Sequence, residues 1–275
     1  MSDGADGAGR GDGAGRVVLV TGAARGIGAA TVRRLAGAGH RVLAVDSCAG
    51  ADAGVGYPLA SRADLDAVVA GAPEGSVVGH VADVRDRDAL AAAVAVALER
   101  WGRLDAAVAV AAVIAGGRPL WETPEADLDL LWEVDVKGVW NTAAVAVPAL
   151  LDGPDPQGAR FVAVASAAGT HGLYRLAAYN AAKHAVVGLV KGLAADLVGT
   201  GVTACAVSPG STRTPMLAAT ADLYDLPDVE GFAANQLLGR VLDPDDVAAT
   251  IAFCCGRDAA ALNGSVVHAD GGFSP

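Results

Sequence analysis

"VVLVTGAARGIGAATVRRL", residues 17–35, opens on an unbroken apolar run, breaks at three closely spaced glycines and resumes with helical periodicity. A strand buried on both faces reads as such a run. Gly22, Gly26 and Gly28 fall between that strand and the helix after it. Glycines there allow a tight turn and bring backbone N–H groups against a pyrophosphate, whose charge the helix N-terminus favours. A glycine triplet alone is a weak signal. It gains weight from Asp46, which ends the next apolar run, "RVLAVD" (41–46), 24 residues beyond Gly22. That is close to the ~20-residue offset of an acid that accepts from the adenosine ribose hydroxyls. A carboxylate at this place repels a 2′-phosphate, so the expected cofactor is NAD, not NADP. Arg25 and Ile27, inside the loop, complete the expected binding set.

Working outward, further strand-like runs recur at 76–84, 104–112, 159–166, 201–210 and 264–270, with helical patterns at 29–37, 87–101, 127–151, 177–197 and 244–255. Alternating strands and helices joined by right-handed crossovers build a doubly wound parallel sheet. The expected fold is therefore α/β: a Rossmann-type sheet of about seven parallel strands in a single domain, residues 17–275. Only 4% of residues are aromatic while 53% are hydrophobic, which suits a core of alanine, valine and leucine. The first 16 residues are glycine-rich and of low complexity, and are expected to form a disordered tail. A net charge of −11 argues against a nucleic-acid partner, which needs a basic footprint. The longest charge-free stretch, 197–212, is too short and too broken to span a membrane. With no apolar leader at the start and four cysteines (Cys48, Cys205, Cys254, Cys255) lacking metal or redox spacing, a cytoplasmic protein with free thiols and no metal is expected.

The chemistry is concentrated in "SAAGTHGLYRLAAYNAAKHAVVGL". Tyr179 and Lys183 stand one helical turn apart on the same face. Ser166 lies thirteen residues before Tyr179, at the end of a strand whose carboxyl edge is where such sheets bind ligands. A phenol of ordinary pKa near 10 is a poor base at neutral pH. An adjacent ammonium and a positive nicotinamide ring favour the phenolate. Tyr179 is then able to take the proton of an alcohol while hydride leaves for NAD. Ser166 is expected to hold the substrate oxygen, and Lys183 also the nicotinamide ribose. Asp83, at the third strand's end with Val84, either binds the adenine amino group or caps the next helix.

From about Arg16 onward the chain resembles a short-chain dehydrogenase/reductase of the classical type. The matching residues are "TGAARGIG", the Asp83-Val84 pair, "S…YNAAK", "SPGSTRTPM" and the "DGG" of 270–272. The resemblance implies that Pro209 and Gly210 run along the nicotinamide, and that Thr212 and Thr214 contact its carboxamide or the phosphates. It also implies a homotetramer packed through the long helices 127–151 and 177–197. Two departures stand out. The family's Asn-Asn-Ala-Gly, mainly a strand-positioning device, reads Ala109-Val110-Ala111-Ala112 here. Its fourth catalytic residue, an asparagine, is Asp135. A carboxylate accepts from a relay water but cannot donate as an amide does, so a slower or pH-shifted proton relay is expected.

Between Asp46 and the strand at Ser76 lie about a dozen residues more than a crossover requires. Long loops inside compact domains are more often functional than idle. The apolar Tyr57, Pro58 and Leu59 need something to pack on, so segment 47–75 is expected to contain a flap over the cofactor, although a harmless insertion has the same length. "DSCA" (46–49), "YPLA" (57–60), "VIAGGRPLWET" (113–123) and "GSVVHADGGF" (264–273) resemble the mycofactocin-associated subgroup of the family. That resemblance implies tightly held NAD, reoxidised in place by mycofactocin, a peptide-derived redox carrier. The substrate is expected to be a secondary alcohol or ketone in a largely apolar pocket. Its walls are expected at Ile114, Trp121, His171, Tyr174, Met216 and Tyr224, under a lid at 212–232. An ordinary exchanging dehydrogenase or ketoreductase, and a non-catalytic dinucleotide sensor, are the alternative readings.

Overall fold

The computed structural model of the chain describes residues 15–51 and 54–274. The glycine-rich tail expected up to residue 16 lies almost wholly outside them. Arg16, assigned to that tail, is instead buried. Its guanidinium donates to the carbonyls of Asp105 (2.9 Å) and Gly158 (2.6 Å).

Seven strands form one sheet: β1 (Val17–Thr21), β2 (Arg41–Asp46), β3 (Val77–Val81), β4 (Ala106–Ala109), β5 (Arg160–Val164), β6 (Thr203–Pro209) and β7 (Val266–Ala269). Their order is 3-2-1-4-5-6-7 and every pairing is parallel. The chain winds outward in opposite directions from β1 and β4, so the crevice for a ligand opens at their carboxyl ends. Thr21 pairs with Val45 and Val20 with Val108, which brings Asp46, the glycine loop and the segment after β4 to a single edge.

Helices cover both faces. One core cluster joins the sheet to α1 (Gly26–Gly37), α2 (Arg62–Ala70) and α8 (Pro244–Cys254). The other joins it to α3 (Arg87–Trp101), α5 (Gly138–Leu151) and α6 (Ala177–Asp196). α7 (Pro215–Leu223) lies over the carboxyl edge. Leu19, Leu43 and Phe161 are fully buried; truncating Phe161 to alanine would cost about 3–5 kcal/mol. Cys205, Cys254 and Cys255 are buried free thiols and Cys48 is half-buried. No helix among the described residues is long and apolar enough to cross a membrane.

Two local features position the site. The buried stripe of α6 recurs at helical spacing, Ala178, Tyr179, Ala182, Lys183, Val186, Val187, Val190, Ala194, so Tyr179 and Lys183 face inward with it. The single helix expected at 127–151 runs on from α4 (Glu125–Leu131) into α5 through a π-helical turn at Trp132–Lys137, which carries Asp135 and Val136 to the interior. Such turns widen a helix locally and recur at functional sites.

Candidate active site

The glycine loop shows why its residues lack side chains. Gly22 and Gly26 have φ of +64° and +52°. A Cβ on Gly22 would lie 2.7 Å from Ala111 Cα, and one on Gly28 would lie 2.0 Å from the Gly22 carbonyl oxygen. The loop can therefore turn back on itself and leave a groove above it. α1 has neither a side-chain cap nor an acid in its first turn, so its N-terminal N–H groups suit an anion from the groove. Asp46 is fixed by accepting from Ala24 N–H (3.0 Å) and Cys48 N–H (3.1 Å). Its remaining lone pairs suit ribose hydroxyls. The acid, the glycine cradle and the groove fit an NAD.

The groove is one end of a cleft of about 900 Å³ along the carboxyl edge. Arg25, Ile27, Asp83, Val84, Pro209, Gly210, Thr212 and Thr214, all expected at the cofactor, line it. Of the two readings of Asp83, the helix cap is excluded. Asp86 caps α3 by accepting from Asp88 and Ala89 N–H, whereas Asp83 is paired with Arg85 at 2.6 Å. Arg25 is also engaged. Its guanidinium pairs with Asp64 (2.8 Å) and donates to the Pro58 carbonyl (3.4 Å).

Further along the cleft stand Ser166, Tyr179 and Lys183. Lys183 Nζ lies 5.5 Å from the Tyr179 ring centroid and 3.5 Å from the Val164 carbonyl. Asp135 is completely buried; its Oδ1 accepts from Val113 N–H (2.9 Å) and its Oδ2 lies 3.1 Å from Lys183 Nζ. That second contact is an ion pair without hydrogen-bond alignment. Burial raises the Asp135 pKa against the pull of Lys183. Burial works to lower Lys183, but Asp135 and then Tyr179 outweigh it and the ammonium is reinforced. Tyr179 departs from the sequence-based expectation. Lys183 and Ser166 do lower its pKa, yet burial first, with Asp135 adding, leaves the phenol raised.

The expected substrate walls divide. Ile114, Tyr174, Met216 and Tyr224 line the cleft, and the Tyr224 hydroxyl donates to the Tyr174 carbonyl (2.5 Å). Trp121 does not line it; it is 81% exposed, on a short turn outside the cleft. His171 is also outside, its ring tilted against Phe273 at 5.7 Å and its Nδ1 3.2 Å from the Ala167 carbonyl. Phe232, at the end of the expected lid, and Phe273, neither of them among the expected walls, also line the cleft. Both sit in irregular segments far along the chain, where no periodicity assigns a direction.

The described residues of the insertion before α2, 47–51 and 54–60, border this cleft. Gly50 pairs with Leu59 and Ala60 through backbone hydrogen bonds of 2.5 and 3.0 Å, closing its neck. Its tip, with Val55, Tyr57, Pro58 and Leu59, lines the cleft. Arg25 ties it to the glycine loop, and Ile114 N–H donates to the Tyr57 hydroxyl (3.3 Å) on the β4 side. Asp64, which holds Arg25, belongs to a capping box with Ser61 at the start of α2.

A family profile described as enoyl-(acyl carrier protein) reductase matches residues 22–274. An uncharacterized NAD-dependent oxidoreductase of Mycobacterium tuberculosis is 34% identical over 94% of this chain and 95% of its own length. (-)-trans-Carveol dehydrogenase of Rhodococcus erythropolis is 33% identical over 94% of this chain and 97% of its own. Among solved structures, carveol dehydrogenase from Mycobacterium avium in complex with NAD has a TM-score of 0.88 at 30% identity, covering 95% of this chain and 98% of that one.

Proposed function

The chain belongs to the short-chain dehydrogenase/reductase family and is an NAD-dependent oxidoreductase of that type; we propose that it interconverts a neutral, largely apolar secondary alcohol and its ketone using an NAD kept through successive turnovers. Mycofactocin, acting as external electron acceptor, reoxidises that NAD in place. The observation that carries this reading is the insertion, tied to the glycine loop through Arg25 and to the β4 side through Tyr57, over the cleft that contains both Asp46 and Tyr179. An NAD under such a strap leaves only after two tethers break.

Ser166 and Tyr179 hold the substrate oxygen, and the Tyr179 phenol exchanges a proton with it. Lys183 supplies the nearest positive charge and holds the nicotinamide ribose, while Asp135 keeps Lys183 ionised. When bound, NAD would supply the hydride acceptor, and the positive charge of its oxidised ring would add to that of Lys183 in favouring the phenolate that burial opposes. The charged lining residues, Arg25, Asp46, Asp83, Arg85 and Lys183, lie in the cofactor and catalytic parts of the cleft, while Ile114, Leu176, Met216, Tyr224 and Phe232 wall the remainder. Among the described residues no cation lines that part of the cleft to pair with a carboxylate or with the phosphate of an acyl carrier, whereas an alcohol of the kind named for the carveol dehydrogenases suits it.

The same reading places the enzyme in the cytoplasm, where its free thiols persist. It also makes it a homotetramer, whose contacts would cover the exposed Leu128, Trp132 and Trp140 on the α4–α5 face.

The test is to denature the purified protein and assay the supernatant for NAD, then compare alcohol oxidation with free NAD and with an artificial electron acceptor. About one NAD per chain and turnover only with the acceptor support the reading. Protein that is empty and active with added NAD identifies the ordinary exchanging dehydrogenase instead.

A further inference from the structure

Tyr57 does something a cover over the cofactor does not require. It is half-buried, and its ring packs in the same apolar cluster as Ile114, Leu176, Tyr179, Met216 and Tyr224, the walls of the substrate half of the cleft. Its hydroxyl oxygen accepts from Ile114 N–H at 3.3 Å. That engages one of the oxygen's lone pairs, while the O–H proton has no acceptor among the described residues. A phenol that lines a cleft with its acceptor side satisfied and its proton unpaired presents a fixed hydrogen-bond donor to whatever fills the cleft. Burial and the neighbouring Asp135 and Tyr179 push its pKa up against the effect of the Ile114 N–H, so it remains a donor at neutral pH.

We propose that Tyr57, carried in on the insertion, is a substrate-contacting residue whose O–H donates to a second oxygen of the substrate, remote from the carbon that reacts. The preferred substrates are therefore alcohols and ketones bearing an additional carbonyl, hydroxyl or ether oxygen. Ser166 and Tyr179 hold the reacting oxygen and Tyr57 the other, so the substrate is gripped at two points across an apolar body. One consequence is structural. The substrate pocket is complete only while the insertion is closed, so the state that releases NAD is also one that binds substrate poorly. This inference rests on the alcohol and ketone reading above but not on whether the NAD exchanges.

The test uses the full chain loaded with NADH, in single turnovers followed by the loss of NADH fluorescence, which reads out in either case. Cyclohexanone and its para-diketone share a ring, and only the second carries a remote acceptor. Tyr57→Phe keeps the ring and removes the donor. The ratio of diketone to monoketone rate constants at subsaturating ketone should fall about three- to tenfold in Tyr57→Phe, the worth of one neutral hydrogen bond; loss of the Ile114 N–H contact acts on both ketones alike and cancels in the ratio. A packing role alone would slow both ketones together, so an unchanged ratio overturns the assignment. If turnover persists and only the ratio fails, Tyr57 alone is misassigned. If no form consumes NADH with either ketone, the dehydrogenase reading falls and this inference with it.

Discussion

Replacing Asp135 by asparagine removes one negative charge from beneath the catalytic pair and changes little else, because asparagine Oδ1 can still accept from Val113 N–H. Asp135 Oδ2 is 3.1 Å from Lys183 Nζ, and that nitrogen is 5.5 Å from the Tyr179 ring centroid. Those two legs keep the carboxylate within about 9 Å of the phenol. A unit charge at that distance, in an effective dielectric of about 20, acts on the phenolate with roughly 2 kcal/mol. The sign follows from charge. Asp135 raises the Tyr179 pKa, so Asp135→Asn lowers it. Lys183 loses its partner in the same change, which trims the gain, so a smaller net downward movement is expected. The assay is the pH dependence of kcat/KM for alcohol oxidation with an artificial acceptor, in wild type and variant. The rising limb should move to lower pH, and oxidation below the limb should quicken by up to about tenfold, the factor that about 1.4 kcal/mol is worth. A limb that stays in place, or moves to higher pH, refutes the argument that the carboxylate governs the phenol.

Other outcomes follow from the same geometry. Tyr179→Phe should lower kcat by about 10²- to 10⁴-fold, the range for loss of a general acid–base group, while NAD content after purification is unchanged. Arg25→Ala breaks the tether to Pro58 and Asp64. A partly exposed pair of this kind is worth up to about 1 kcal/mol, so NADH should dissociate several-fold faster in a fluorescence displacement experiment, with little change in the chemical step. Asp46→Ser removes the carboxylate that repels a 2′-phosphate; binding titrations should show NADP affinity rising relative to NAD by about tenfold or more.

How much of this was legible beforehand depended on how local each signal is. The glycine loop and Asp46 are readable because backbone sterics demand glycine at Gly22 and Gly28 whatever surrounds them, and because strand length places the acid. Tyr179 and Lys183 are readable from helical spacing, and Asp135 as a change of residue type in a recognisable stretch. The substrate walls are not local in that sense. Trp121 and His171 sit on turns whose side-chain directions are set by tertiary packing, and both turned out of the cleft. Tyr57 was expected over the cofactor on hydrophobicity alone; that it reaches Ile114 depends on how the neck at Gly50 closes. The balance at Tyr179 was read from its charged neighbour, whereas burial, a property of the whole fold, outweighs that neighbour.

In the proposed mechanism Tyr179 works on an alcohol beside an NAD already seated beneath the insertion. Mixing the purified protein with a cyclic secondary alcohol, with no nucleotide added, and following the near-ultraviolet absorbance of NADH tests it most directly. Protein with NAD in place should give a single burst of about one NADH per chain, discharged when an electron-accepting dye is added. No signal until NAD is supplied, followed by steady accumulation of free NADH, would contradict it.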